Sequence, residues 1–202
     1  MTVVRLVLSL CSLWMAASVG AQEAGSGLPS DAKAPLPTVA HVDLVRYSGR
    51  WHEIARYPHR FQAHCASQAM ATYSLRATGP GKPPEIKILN QCVDARGQLD
   101  QAAGVARVVD GSGGAKLKVS FLPAWLRWIG LGWGNYWIID LAPDYRYAIV
   151  GEPTRRYLWI LSRRPTLAVD DRVKIEAKLM HLGYDPGSLI HTALPTTTNL
   201  GD

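Results

Sequence analysis

Few side chains in this sequence are of a kind that does covalent chemistry, and their spacing does not suit metal or acid–base work. Of six histidines, His59 and His64 straddle one short connection, and His181 and His191 fall near the C-terminal end. None shows the close spacing that a zinc or copper site uses. His52 and Arg56, four apart, are not a metal pair. Three cysteines remain. Cys11 is embedded in an apolar N-terminal run, which leaves Cys65 and Cys92 as the thiols of the folded chain. An even pair in an exported chain predicts one disulfide. No cofactor and no metal are expected. What the residues offer instead is burial, with Trp, Tyr and aliphatic side chains at alternate positions.

The N-terminus predicts that export. Met1 to Arg5 is a short basic start, and Leu6 to Ala17 is an apolar run of about a dozen residues, fewer than the ~20 that span a bilayer. Val19-Gly20-Ala21 before Gln22 reads as a signal-peptidase site, so residues 1–21 are expected to be a signal peptide. Leu10 stands where a lipobox needs a small residue, and Cys11 lies inside the run; Cys11 is therefore not expected to carry a lipid anchor. Cleavage removes one charge, Arg5, and lowers the formal net charge from +6 to +5. That excess is spread along the chain without an arginine-rich run, which argues against a nucleic-acid partner. Residues 22–40, rich in Ala, Gly, Pro, Ser and Thr, are expected to form a flexible tether. The rest, about 180 residues with the tether, suffices for one domain. It is bounded at 41–193, with a C-terminal tail over 194–202.

From Trp51 onward the hydrophobic period is close to two, broken by turn residues, which predicts an antiparallel all-β domain. Strands are expected over 50–57, 66–76, 85–92, 98–109, about 116–121, 135–141, 145–151 and 157–162. Gly79-Pro80-Gly81, Asp110-Gly111-Ser112-Gly113-Gly114 and Pro143-Asp144 are among the turns between them. Eight strands joined by short turns can close into an up-and-down barrel around one small ligand. Near the end the period changes. Val169, Val173, Ala177 and Met180 are spaced four, four and three, which predicts an amphipathic helix over 169–181, ended by Gly183 and packed outside the barrel by that stripe.

Three regions carry a resemblance to a known family. Gly49-Arg50-Trp51, preceded by Tyr47, places a turn glycine before a bulky indole. Pro143-Asp144-Tyr145 forms the turn before the seventh strand. Leu158-Trp159-Ile160-Leu161-Ser162-Arg163 closes the eighth. Together, and in this order, they resemble the lipocalins, and most closely their bacterial branch. The resemblance implies an eight-stranded antiparallel calyx with a C-terminal helix outside. It also implies that Arg163 stacks over Trp51 at the closed end, near Gly49, Asp144 and Tyr145, in a structural role. Cys65 and Cys92 would then meet at the rim, where the second and third strands pair.

The resemblance further implies a hollow interior that binds, stores or transports a small hydrophobic molecule. The bacterial relatives point to fatty acid or lysophospholipid, and to the periplasm with the outer membrane nearby. By strand parity the lining is expected from Ala71, Tyr73, Ile86, Ile88, Val119, Phe121, Trp137, Ile139 and Trp159. Burial of a long acyl chain at about 0.8 kcal/mol per methylene needs no catalytic group. The chain is accordingly expected not to be an enzyme. One lipocalin branch isomerises a lipid peroxide with a free thiol, so a free Cys65 is the enzymatic alternative. An interaction module that carries no lipid is a third.

One connection is unusual. Leu122 to Gly134, between the fifth and sixth strands, contains Trp125, Trp128, Ile129 and Trp133 where a solvated loop carries polar residues. It lies at the expected mouth. Folding over the mouth as a lid, contact within a homodimer, and contact with a membrane surface are the three readings. Tryptophan's preference for the lipid–water boundary favours the last.

Overall fold

Strands form here because each can bury every second side chain against a common interior. The computed structural model describes residues 34–80 and 84–193. A one-turn helix α1 (Leu44–Tyr47) leads into β1 (Gly49–Arg56), followed by β2 (Cys65–Arg76), β3 (Glu85–Asp94), β4 (Leu99–Val108) and β5 (Lys116–Ser120). A short helix α2 (Ala124–Trp128) precedes β6 (Gly134–Leu141), β7 (Tyr147–Gly151) and β8 (Leu158–Ser162). Helix α3 (Val169–His181) and the two-residue strand β9 (Ile190–His191) complete the order.

Each of β2 to β7 pairs antiparallel with the next in sequence, and β1 pairs with both β8 and β2, which closes the barrel. The β1–β2 ladder runs only from Gly49↔Tyr73 to His52↔Met70. Farther out, β1 pairs with β9 at Ala55↔His191 and Arg56↔Ile190, and Gln68 N donates to Ala193 O at 3.2 Å. The C-terminal strand thus completes the wall where β1 and β2 separate.

Two apolar clusters divide the core. One lies inside the barrel, with Trp51, Tyr47, Ile86, Ile88, Ala106, Leu117, Ile138, Val150 and Leu161. The other lies between the outer wall and α3, with Ile139, Ile149, Leu158, Ile160, Ile175 and Leu179.

Helix α3 spans the expected residues but docks by a different face. Val169, Val173 and Met180 are exposed, and Asp171, Ile175 and Leu179 are buried. The docked face has the same four-residue spacing, two positions along. Its first member is a charged residue and breaks the apolar pattern. Asp171 is accommodated because Arg146 grips its carboxylate at 2.7 and 2.8 Å.

Part of the stretch expected to be a tether also packs. Leu36 is buried in the outer cluster, and Val39 N donates to Ile138 O at 3.1 Å. The signal peptide, Cys11, residues 22–33 of the tether and the 194–202 tail lie outside the described residues.

Candidate ligand-binding chamber

The closed end is built on Gly49, whose φ of 95° is open to glycine and strained for other residues. It turns the chain so that Trp51, fully buried, plugs the barrel and donates its Nε1–H to Tyr47 O at 2.8 Å. The Arg163 guanidinium lies 3.8 Å from the centroid of the indole. It donates to the carbonyls of Arg46 (2.6 Å), Tyr47 (3.2 Å), Ser48 (3.0 Å) and Arg50 (2.8 Å). Tyr145 sits in the β6–β7 turn, outside the strand expected to contain it, at φ 64°. Its hydroxyl accepts from Asp43 N at 2.9 Å, and the Arg46 guanidinium stacks 4.0 Å from its ring. Asp144 braces the same turn through Arg146 at 2.9 Å. Gly49, Trp51, Asp144, Tyr145 and Arg163 therefore meet at one end.

Above this plug, three tyrosines form a polar knot in an apolar floor. Tyr136 Oη lies 2.7 Å from Tyr47 Oη and 2.9 Å from Tyr73 Oη. Burial holds all three protonated: it pushes Tyr73 up to about 12, and Tyr47 and Tyr136 well above the ordinary value.

Of the residues expected to line the interior, Ala71, Tyr73, Ile86 and Ile88 lie in the inner cluster, and Val119 and Trp159 pack against it. Phe121 lies just past the end of β5, with its ring over Gly104; a Cβ there would come within 2.6 Å of the ring. Trp137 and Ile139 do not face the interior. Both belong to the outer cluster, with Lys116 Nζ 4.3 Å from the Trp137 ring, and Tyr136 and Ile138 take the inward places. Both faces of β6 are covered, one by the interior and one by α3, so apolar residues fall on each and alternation loses its sign.

Sequence reasoning also missed a buried ion pair. Glu53 Oε1 accepts from Arg56 NH1 at 2.8 Å, with both side chains largely excluded from solvent. Glu53 is legible as inward, two residues after Trp51. Arg56 is not, because a bulge between Glu53 and Ala55 turns it to the same face.

At the open end, Cys65 and Cys92 are joined, with Cα atoms 5.6 Å apart. The thiol of the isomerase alternative is thereby engaged. The connection after β5 places Trp125 and Trp128 in solvent, 70% and 88% exposed, with Ile129 and Leu131 also exposed. Trp133 turns back, donating its Nε1–H to Arg127 O at 3.4 Å under the Arg107 guanidinium.

The closed barrel has counterparts among known proteins. Residues 42–194 match the family model described as a lipocalin-like domain. The chain belongs to the lipocalin family. Among lipocalins, it is 36% identical to temperature-induced lipocalin-1 of Arabidopsis thaliana over 79% of this chain and 83% of that protein. It is also 36% identical to the outer membrane lipoprotein Blc of Escherichia coli (strain K12), over 79% and 84% of the two chains. With mouse apolipoprotein D the identity is 33%, over 76% and 78%. Among solved lipocalin folds, insecticyanin of Manduca sexta superposes with a TM-score of 0.60 at 19% identity, covering 79% of this chain and 85% of that one.

Proposed function

We propose that this lipocalin binds one hydrophobic molecule inside its barrel, a fatty acid or a lysophospholipid, and carries it within the bacterial cell envelope. The observation that supports this most is the inner wall. Above the Trp51 plug it presents Ala71, Ile88 and Val119, apolar side chains beneath an end rimmed by loops. Such a surface favours an acyl chain through burial alone and asks for no catalytic group. An envelope location draws support from the relatives named as outer membrane lipoproteins.

The mouth extends the reading. Phe61, Leu99, Phe121, Leu122, Trp125, Trp128, Ile129 and Leu131 are exposed on loops or strand ends at this end, among Arg60, Arg96 and Arg156. Exposed indoles mixed with arginines suit the boundary of an anionic bilayer. We infer that the mouth rests on a membrane and takes its ligand directly from it.

The test is native mass spectrometry of the protein expressed with its leader and purified without detergent, followed by lipid extraction. One fatty acid or lysophospholipid per chain is expected. A chain that carries no lipid and takes up none added would leave the interaction-module reading in its place.

A further inference from the structure

The inner wall near the mouth carries a charged cluster that an apolar chamber does not need. The β1 bulge puts Glu53 and Arg56 both inward, opposite Leu161 and Trp159 of β8. Glu53 is saturated: Oε1 accepts from Arg56 NH1 (2.8 Å) and Thr192 Oγ1 (2.9 Å), and Oε2 accepts from Gln62 Nε2 (2.7 Å). Gln62 is itself fixed by Trp159 Nε1–H, donated to its Oε1 at 3.0 Å.

Arg56 is not saturated. It is 6% exposed, and its NH2 donates to Gln62 O at 3.2 Å, but its Nε–H has no partner among the described residues. His59, its ring 5.2 Å from that of Trp159, has no hydrogen-bond partner of good geometry at either buried nitrogen among the described residues, the neighbouring Gln62 amide being engaged by Glu53 and Trp159. A buried donor left unpaired is costly, more so when it is charged. Buried polar atoms are nearly always satisfied. Two orphaned groups, one on the inner wall and one on the connection beside Trp159, therefore match an acceptor brought by the ligand.

We propose that Arg56 and His59 anchor the anionic head of an amphiphile, a carboxylate or phosphate oxygen taking the Arg56 Nε–H and a His59 ring N–H. The acyl chain then runs over Ala71, Ile88 and Val119. Glu53 and Gln62 are positioning residues: they hold the guanidinium so that its Nε edge remains available. The Glu53–Arg56 pair is neutral as a unit, so the anion is selected by directed donors more than by net charge. This inference rests on the reading of the interior as a ligand chamber.

The experiment displaces the apolar fluorophore N-phenyl-1-naphthylamine from the purified, delipidated protein. Competitors are matched pairs, dodecanoate against dodecanol and lauroyl lysophosphatidic acid against monolaurin. In at least one pair the anion is expected to displace at about tenfold lower concentration than its neutral partner, since one directed hydrogen bond to a charged group is worth that much. The pair that discriminates identifies the head group. In a Glu53→Gln/Arg56→Gln double variant the preference is expected to vanish while the neutral competitor still displaces. His59→Leu, which leaves the ion pair intact, is expected to reduce the preference several-fold. Equal displacement by anion and neutral partner in the wild type overturns the anchor, as does a preference that survives in the double variant or is undiminished in His59→Leu. Failure of every competitor, and of the fluorophore, defeats the chamber reading itself.

Discussion

Arg163 and Trp51, 112 positions apart in the sequence, are locked face to face, the guanidinium 3.8 Å from the indole centroid and donating to four backbone carbonyls around it. The stack joins the end of β8 to the start of β1 and holds α1 in place. A cation–π contact contributes about 0.5–2 kcal/mol, and each hydrogen bond from a charged donor about 1.5–3 kcal/mol where solvent is excluded. Arg163 is partly solvated, which discounts those figures. Arg163→Ala is expected to destabilise by about 3 kcal/mol in a urea titration, and Arg163→Lys to recover less than half. An Arg163→Ala midpoint equal to that of the wild type would show that the stack is ornamental.

The tyrosine knot makes an alkaline prediction. Tyr47, Tyr73 and Tyr136 ionise later in the folded chain than in the unfolded one, because burial opposes the phenolate. A raised folded value contributes stability that is complete below the unfolded value of 10.0 and is lost as pH rises toward about 12. Of eight tyrosines, these three and Tyr184, which burial also pushes up to about 12, are expected to ionise only as the protein unfolds, seen as a late step in absorbance that coincides with loss of near-ultraviolet dichroism. Smooth ionisation of every tyrosine before unfolding contradicts the burial of the knot.

The Cys65–Cys92 bridge closes a loop with a sequence separation of 27. Chain entropy predicts about 3–4 kcal/mol of stabilisation. Thiol titration of the denatured, unreduced mature protein is expected to find no reactive thiol, and a Cys65→Ser/Cys92→Ser variant to be less stable by roughly that amount. Two titrating thiols would restore the isomerase reading.

Membrane docking of the mouth is tested by co-sedimentation with anionic liposomes. The variant Trp125→Ser/Trp128→Ser/Trp133→Ser is expected to lose most of its pelleting while retaining soluble-lipid binding. Undiminished pelleting refutes the docking. Loss of soluble-lipid affinity points to a lid, and loss of a dimer in sedimentation velocity points to an interface.

The expected signal-peptide cleavage places the mature N-terminus near Gln22, with no acyl group on Cys11. Intact-mass measurement after expression in a bacterial host checks both. A mature chain beginning at a lipidated Cys11 overturns that expectation and would align this protein with its relatives named outer membrane lipoproteins.

Much of the barrel was legible because its signals are local. Period-two runs end at Pro58 and at the turn that contains Gly111, Gly113 and Gly114, so the strands β1 to β5 fall within a residue or two of where alternation puts them. Helix α3 spans the residues expected of it. The plug and its arginine were legible through the resemblance that the three motifs carry, and the disulfide through an even pair of cysteines on strands expected to pair.

What the sequence determined by itself was therefore the set of elements and the order in which they close. The tertiary structure decided which face of each element is used. In β6 both faces are covered, so only the packed barrel reveals that Tyr136 and Ile138 look inward while Trp137 and Ile139 lie toward α3. In α3 the docked stripe begins with Asp171, whose burial depends on Arg146 arriving from a distant turn. Arg56 reaches the inner wall through a bulge that alternation cannot register. The reason is common to all three: a side chain's inside and outside are set by what covers it, and the covering partner lies far along the chain.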